Sequence, residues 1–255
     1  WYCGKLYRRF DLLYALSENG GAAKMRDLGL SPVEIVPLGV ELGEFSPDHR
    51  DTALRRKLGV ADHAPLLIYA GRLDGEKRAQ TVVDAFRLLP DSLGAHLVLL
   101  GNGPLREQFL LEGTRRLHAP GYVKGRSELA RWLASADLYV SDMADETFGI
   151  SIIEAQASGL PVVGVAAGAM VDRVDHSIGR LGPVGDSAAM AANILDLWAG
   201  ELPAMRQRAS AHARQFGWDK SMDVLFGEIY PLAMRGAARR AADRSRALAP
   251  AFAKA

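Results

Sequence analysis

At 255 residues the chain can hold one large domain, or one domain and part of another. A formal net charge of +1 gives no ground for general nucleic-acid binding, and the single cysteine, Cys3, excludes an internal disulfide framework and fits a reducing compartment. No apolar run approaches the ~20 residues that span a bilayer, and the opening at Trp1 has neither an initiator Met nor a signal-peptide pattern, which suggests a fragment or a trimmed piece.

Residues 1–45 read as a small α/β piece. An apolar strand is expected over 11–16, a helix over 22–28 closed by Gly29, and a second strand over 33–36. The stretch 37–47, P-L-G-V-E-L-G-E-F-S-P, is dense in proline and glycine and reads as a linker or crossover, with an ordinary surface loop as the competing reading. A helix over 51–58 ends at Gly59. From Pro65 onward strands and helices alternate: strands over 66–70, 95–100, 118–123, 137–141 and 162–165, with a short last one over 179–181. The intervening helices are expected over 79–89, 104–117 and 128–134, followed by helices over 187–198 and 203–216. This alternation argues for a doubly wound, parallel, Rossmann-like α/β sheet over 46–218, with ligands at the strands' carboxyl edge. Residues 219–255 carry a long helix, 220–239, and a tail made basic by Arg235, Arg239, Arg240, Arg244 and Arg246. That tail reads as a solvated terminus in preference to a peripheral membrane contact.

The chain is organised around 145–161, D-E-T-F-G-I-S-I-I-E-A-Q-A-S-G-L-P. An acidic turn with Glu146 leads into an apolar helix that carries Glu154 about two turns in, and Gly159 and Pro161 stop it. The helix N-terminus between the two carboxylates favours an anion. A ligand with a phosphate and hydroxyls on both sides, such as a nucleotide sugar, fits that pattern. Glu154 lies among Ile152, Ile153 and Ala155, so its carboxylate needs a partner, either a ribose diol or an internal Arg or Lys. Glu146 by itself could be a solvated loop residue.

Each other informative loop also follows a strand. In G-R-L-D-G-E-K, 71–77, Arg72 and Lys77 could grip a pyrophosphate and stabilise it as it leaves; a pair of surface charges beside Asp74 and Glu76 is an equal alternative. In G-N-G-P, 101–104, two glycines allow close backbone approach around Asn102. Neither G-x-G-x-x-G nor a P-loop is present, which argues against NAD, FAD and P-loop ATP chemistry. In Gly121-Tyr122-Val123-Lys124, backbone could frame a base, with the Tyr122 ring itself expected in the core. His49, His63, His96, His118, His176 and His212 show no metal-ligand spacing, and Ser151 and Ser158 lack a hydrolase elbow.

These residues together resemble the retaining glycosyltransferases of the B fold, family four. E-T-F-G-I-S-I-I-E matches the family's E-x7-E signature, G-R-L-D-G-E-K its G-R-x4-K loop, G-N-G-P its second-strand turn, and V-P-L-G-V-E-L-G-E-F-S-P its interdomain crossover. The W-D of Trp218-Asp219 is similar to the family's as well. The resemblance covers about residues 11–232 and implies a B-fold C-terminal domain preceded by a remnant, 1–45, of an N-terminal Rossmann-like domain. It implies that Arg72 and Lys77 bind the donor diphosphate, Glu154 the ribose and Glu146 the donor sugar. Gly71, Asn102, Gly103, Tyr122, Val123, Phe148, Gly149, Ile150 and Ser151 complete the implied donor site. The donor would be a GDP- or UDP-linked sugar, GDP-mannose among them, with no cofactor and no metal. The acceptor would be a lipid or polysaccharide, and the location cytoplasmic, at the inner face of the membrane. The acceptor site and a histidine near the reacting sugar belong to the part of the family's N-terminal domain that this chain lacks. After Val165, A-A-G-A-M-V-D-R-V departs from the family's G-G-x-x-E and puts Asp172 in its place. Two other functions remain open: a nucleotide-sugar 2-epimerase of the same fold, and a non-catalytic nucleotide-sugar-binding subunit.

Overall fold

The computed structural model describes residues 2–112 and 115–248. Trp1, the side chains of Cys3, Arg244 and Arg246, and the tail beyond 248 lie outside the described residues.

Helix α1 (Tyr2–Tyr7) leads to strand β1 (Leu13–Ala15). Ser17 then caps a π-helical turn, Glu18–Ala22, by accepting from the Gly20 N–H, and helix α2 (Ala23–Asp27) continues from it. Strand β2 (Val33–Ile35) pairs with β1 in parallel, Leu13 opposite Val33. Ala15, Ala22, Leu30 and Val33 form a small core beneath this pair.

Asp51 caps helix α3 (Thr52–Lys57), accepting from the Ala53 and Leu54 N–H groups at 2.7 and 3.1 Å. The main unit then alternates strictly. Strand β3 (Leu66–Ala70) precedes helix α4 (Ala79–Arg87), β4 (His96–Leu100) precedes α5 (Arg106–Leu111), and β5 (Leu117–Gly121) precedes α6 (Arg126–Ser135). Strand β6 (Leu138–Val140) precedes α7 (Ile150–Ala157), β7 (Val162–Val165) precedes α8 (Met170–Arg173), and β8 (Gly179–Gly182) precedes α9 (Ser187–Ala199). Helices α10 (Leu202–Ala213), α11 (Trp218–Val224) and α12 (Tyr230–Leu248) follow.

The six strands pair in the order β5-β4-β3-β6-β7-β8, all parallel. The chain moves outward from β3 to β5, then returns to the other side of β3 for β6. That reversal makes the β3/β6 boundary the topological switch point, where a crevice opens at the carboxyl edge. Side chains alternate between two cores. Leu66, Ile68, Val98, Tyr139 and Val162 pack with Ile152, Ile153 and Leu133 on one face. Leu67, Leu97, Leu99, Leu138 and Val163 pack with Val82, Val83, Phe109 and Ile194 on the other. Both faces are covered, which is why these strands read as continuous apolar runs.

Several element bounds differ from the sequence reading. The helix expected over 104–117 ends at Leu111, and Leu117 opens β5 instead. The Arg116 carbonyl already accepts from the Leu97 N–H, so ladder pairing with β4 takes over from helical periodicity. Pro120 is tolerated in β5 because that strand is an edge. The last helix starts earlier and runs on to Leu248, with a π-helical stretch, Leu225–Ile229, joining α11 to α12. Helices α1 and α8 were not expected. Among the described residues no helix is long and apolar enough to cross a membrane.

The N-terminal piece docks on the crevice. Ser17 Oγ donates to the Thr147 carbonyl (2.8 Å), and Asn19 binds Asp172 twice, through its backbone N–H (2.8 Å) and its side-chain amide (2.6 Å). Lys24 pairs with Asp145 at 3.0 Å. The segment 37–47 runs beside the start of α11: the Val40 N–H donates to the Phe216 carbonyl, and Gly39 lies so close to Trp218 that a Cβ there would sit 2.3 Å from its ring. Helix α12 reaches back to the first residues, where Arg240 pairs with Asp11 and donates to the Arg9 carbonyl.

Candidate functional site

Two cavities lie side by side at the switch point. The larger, about 690 Å³, is bounded by the loops after β3, β4 and β5. The smaller, about 340 Å³, is bounded by the loops after β3 and β6 and by Leu16 of the N-terminal piece. Ala70, Gly71, Ser151 and Glu154 line both, so the cavities form one cleft with Glu154 at the junction.

Glu154 stands on the second turn of α7, half-buried among apolar neighbours. Among the described residues no donor hydrogen-bonds its carboxylate. Burial pushes this carboxyl up to about 7, opposed only by the nearby Arg126 guanidinium. The partner that the sequence demands for Glu154 is thus absent from the protein's own hydrogen bonds, and its acceptors face the cleft.

Helix α7 begins at Gly149, whose φ of +87° suits glycine, and a Cβ there would meet Ile152 Cδ1 at 2.7 Å. Glu146 folds over this end. Its Oε1 accepts from the Thr147 and Gly149 N–H groups, both at 3.2 Å, and its Oε2 lies 3.7 Å from Lys77 Nζ. Lys77 and Glu146 are 26% and 19% exposed, so Glu146 is a fixed wall residue rather than a solvated one. Gly149, Ile150 and Ser151 line the smaller cavity. The Tyr139 hydroxyl lies 2.9 Å from Ser151 Oγ and 3.3 Å from the Ala70 carbonyl, which ties α7 to the end of β3. Phe148 also lines the smaller cavity, but its ring is buried against Phe216 and under the Arg173 guanidinium, 4.6 Å from the ring centre, and its carbonyl accepts from Arg173 Nε at 3.0 Å.

The loop after β3 carries the cations. Arg72, on the wall of the larger cavity, pairs with Asp74 and Glu76 at 2.7 Å each and is 58% exposed. The ion pairing expected with Asp74 and Glu76 is present, and Arg72 also stands on the cleft wall. The Tyr69 hydroxyl donates to the Arg72 carbonyl at 2.8 Å, and the Lys77 N–H donates to Asp74 at 2.9 Å, so the loop is held at both ends. Arg78 follows in the left-handed region, at φ +51°.

Asn102 and Val123 line the larger cavity. Gly103 does not line the cleft. A Cβ there would sit 2.2 Å from the Leu73 carbonyl, so it lets the second loop pack under the first. Tyr122, expected in the core, is 71% exposed and lines the larger cavity, because β5 ends at Gly121 and the chain turns outward there. Sequence reasoning missed Gly125, Arg126 and Leu129 on the same wall. The signal was available: Gly125-Arg126 directly follows the third loop and opens a helix. Asp172, the departure from the family pattern, binds Asn19 and is not a cleft-lining residue. His96 and His118 stack with ring centres 5.3 Å apart near the starts of β4 and β5, at the far edge of the sheet from the cleft.

Residues 64–200, more than half of the chain, match the family described as "Glycosyl transferases group 1". The chain belongs to this glycosyltransferase family. Among its relatives is the D-inositol 3-phosphate glycosyltransferase of Jonesia denitrificans, 32% identical over 205 residues, 73% of this chain and 48% of the relative. Another is the GDP-mannose-dependent alpha-(1-6)-phosphatidylinositol dimannoside mannosyltransferase of Mycobacterium tuberculosis, 31% identical over 217 residues, 81% of this chain and 54% of the relative. The chain spans about half the length of the curated relatives it matches. Anabaena HepE in complex with UDP shares the fold, with a TM-score of 0.77 at 23% identity over 89% of this chain and 66% of that one. Sucrose-phosphate synthase from Thermosynechococcus elongatus does so with a TM-score of 0.76 at 22% identity, over 91% of this chain and 60% of that one. The parallel sheet of this family member is that of the B-fold glycosyltransferases.

Proposed function

We propose that this chain supplies the donor site of a retaining glycosyltransferase, which moves a hexosyl unit from a nucleoside-diphosphate sugar to a lipid or polysaccharide acceptor. The observation that carries the proposal is Glu154: a half-buried carboxylate with no hydrogen-bond donor among the described residues, at the junction of two cavities, with Lys77 and Glu146 to one side and Arg72 to the other. A ribose diol supplies the two donors that Glu154 lacks. The diphosphate then lies toward Lys77 and Arg72, and the sugar toward Glu146 and the first turn of α7.

In the transfer the bond from the anomeric carbon to the diphosphate oxygen breaks, and the acceptor oxygen bonds to that carbon on the same face. The acceptor proton passes to the departing phosphate. Lys77 and Arg72 neutralise the charge that develops on the leaving group, so neither metal nor cofactor is called for. Arg72 must exchange one of its carboxylate partners for phosphate as the donor enters. Relatives named for GDP-mannose and a structural neighbour holding UDP support a nucleotide-sugar donor.

Calorimetric titration of the chain with GDP and UDP tests this. Lys77→Ala and Glu154→Ala should each weaken nucleotide binding by about tenfold or more, about 1.4 kcal/mol. Unchanged affinity in both variants would remove the site assignment.

A further inference from the structure

Arg126 is the first residue of α6 and stands on the wall of the larger cavity. Gly125 before it has φ +90°, and a Cβ there would meet nothing within 4 Å, so the wall is open at this point. Arg72, the other arginine of this cavity, is occupied by Asp74 and Glu76. Among the described residues Arg126 makes no hydrogen bond or ion pair, although its guanidinium is near enough to Glu154 to favour that carboxylate's charge. Its neighbours on the wall are Tyr122, 71% exposed, and the apolar Val123 and Leu129.

We propose that Arg126 reads the base of the donor and selects guanine, so that the cleft takes a GDP-linked sugar. This rests on the donor-site reading above. With ribose at Glu154 and the diphosphate along Lys77 and Arg72 of the loop after β3, the base extends away from that loop, across the larger cavity toward residues 122–129. A guanidinium there offers only donors, in a rigid fork. Guanine presents two adjacent acceptors, N7 and O6, which match that fork bidentately. Adenine sets an amino donor beside N7, so one arm of the fork meets a like group. Uracil separates its two carbonyl oxygens by the N3–H donor, so the fork engages one oxygen and leaves the other arm unpaired. The exposed Tyr122 ring offers a face on which any base can stack, so stacking adds affinity and Arg126 adds the choice.

Calorimetric titration of the full chain with GDP, UDP and ADP tests the assignment. Wild type should bind GDP about tenfold or more tighter than UDP or ADP. Arg126→Ala should cut GDP affinity by about tenfold and leave UDP within about threefold. Arg126→Lys keeps the charge but loses the fork, and should lose the guanine preference as Arg126→Ala does. Parity or a UDP preference in wild type overturns the proposal. Equal weakening of GDP and UDP in Arg126→Ala also overturns it, since Arg126 would then act on the shared diphosphate. If binding depends on Lys77 but shows no base preference, only the base assignment fails. If no nucleoside diphosphate binds, the donor-site reading fails, and this proposal with it.

Discussion

Glu154 is held where burial opposes its own charge. Its carboxyl is raised from an ordinary 4.5 to about 7. Between those values the folded chain keeps a proton that the unfolded chain has lost, so stability falls as pH rises from about 4.5 to about 7. Glu154→Gln removes that penalty. The variant should be the more stable of the two at pH 8, by on the order of 2 kcal/mol with solvent access from the cleft allowed for, and the gap should shrink toward pH 5. Urea titrations of both proteins at the two pH values check this; a gap that does not depend on pH would show that the carboxyl is not perturbed. Arg78 illustrates a backbone cost instead. It is the one non-glycine residue with positive φ among the described residues, at φ +51° and ψ +36°, and no carboxylate pairs with it. Left-handed backbone costs an L-residue about 1–2 kcal/mol, part of which glycine gives back through its freer unfolded state. Arg78→Gly should therefore raise stability by about 0.5–1 kcal/mol, read as a higher urea midpoint at unchanged slope.

At the scale of elements, the loop from β6 into α7 is held from two sides. Glu146 ties it to Lys77, while Ser17 and Lys24 of the N-terminal piece clamp it at Thr147 and Asp145, and Asn19 holds Asp172 of α8 beside it. Gly20 fits this contact because a Cβ there would sit 2.6 Å from the Thr147 carbonyl. Ser17 is buried, but the Lys24–Asp145 pair is exposed and worth about 1 kcal/mol or less, so it sets the loop's mobility more than the protein's stability. Lys24→Ala should speed amide exchange at Thr147 and Gly149 while shifting the global urea midpoint little. Exchange that stays at the wild-type rate would mean that the loop holds its shape without the N-terminal piece. Helix α7 and the flanking strands β6 and β7 were legible in the sequence, because apolar periodicity and the Gly159-Pro161 stop act within a few residues. The bounds of α5 and β5 were not, because pairing with β4 settles where that helix ends.

At the scale of the whole molecule, a buried ionic knot fastens the sheet's amino edge to the surrounding helices. Asp137, 6% exposed, accepts from Arg50, Arg55 and the Leu66 N–H, each at 2.8 Å, and Arg206 of α10 approaches to 3.9 Å. Burial and the neighbouring arginines lower the Arg206 guanidinium to about 10. Asp137→Ala would strand Arg55 and Arg206 without their carboxylate and should cost about 3–5 kcal/mol, measured by urea unfolding. Asp137→Asn keeps the shape but not the charge and should lose a similar amount; full stability in either variant would show the cluster to be ornamental to folding.

By itself the sequence determined the alternating parallel sheet, the loops that carry chemistry and the E-x7-E pair, because strand runs, turns and caps are written in neighbouring residues. Tertiary structure alone decided which of those groups face the cleft. It turned Tyr122 outward from an edge strand, withdrew Gly103 beneath Leu73, set Arg126 on the cavity wall and gave Asp172 to Asn19. Each of these depends on contacts between segments far apart in the chain, which no local pattern encodes.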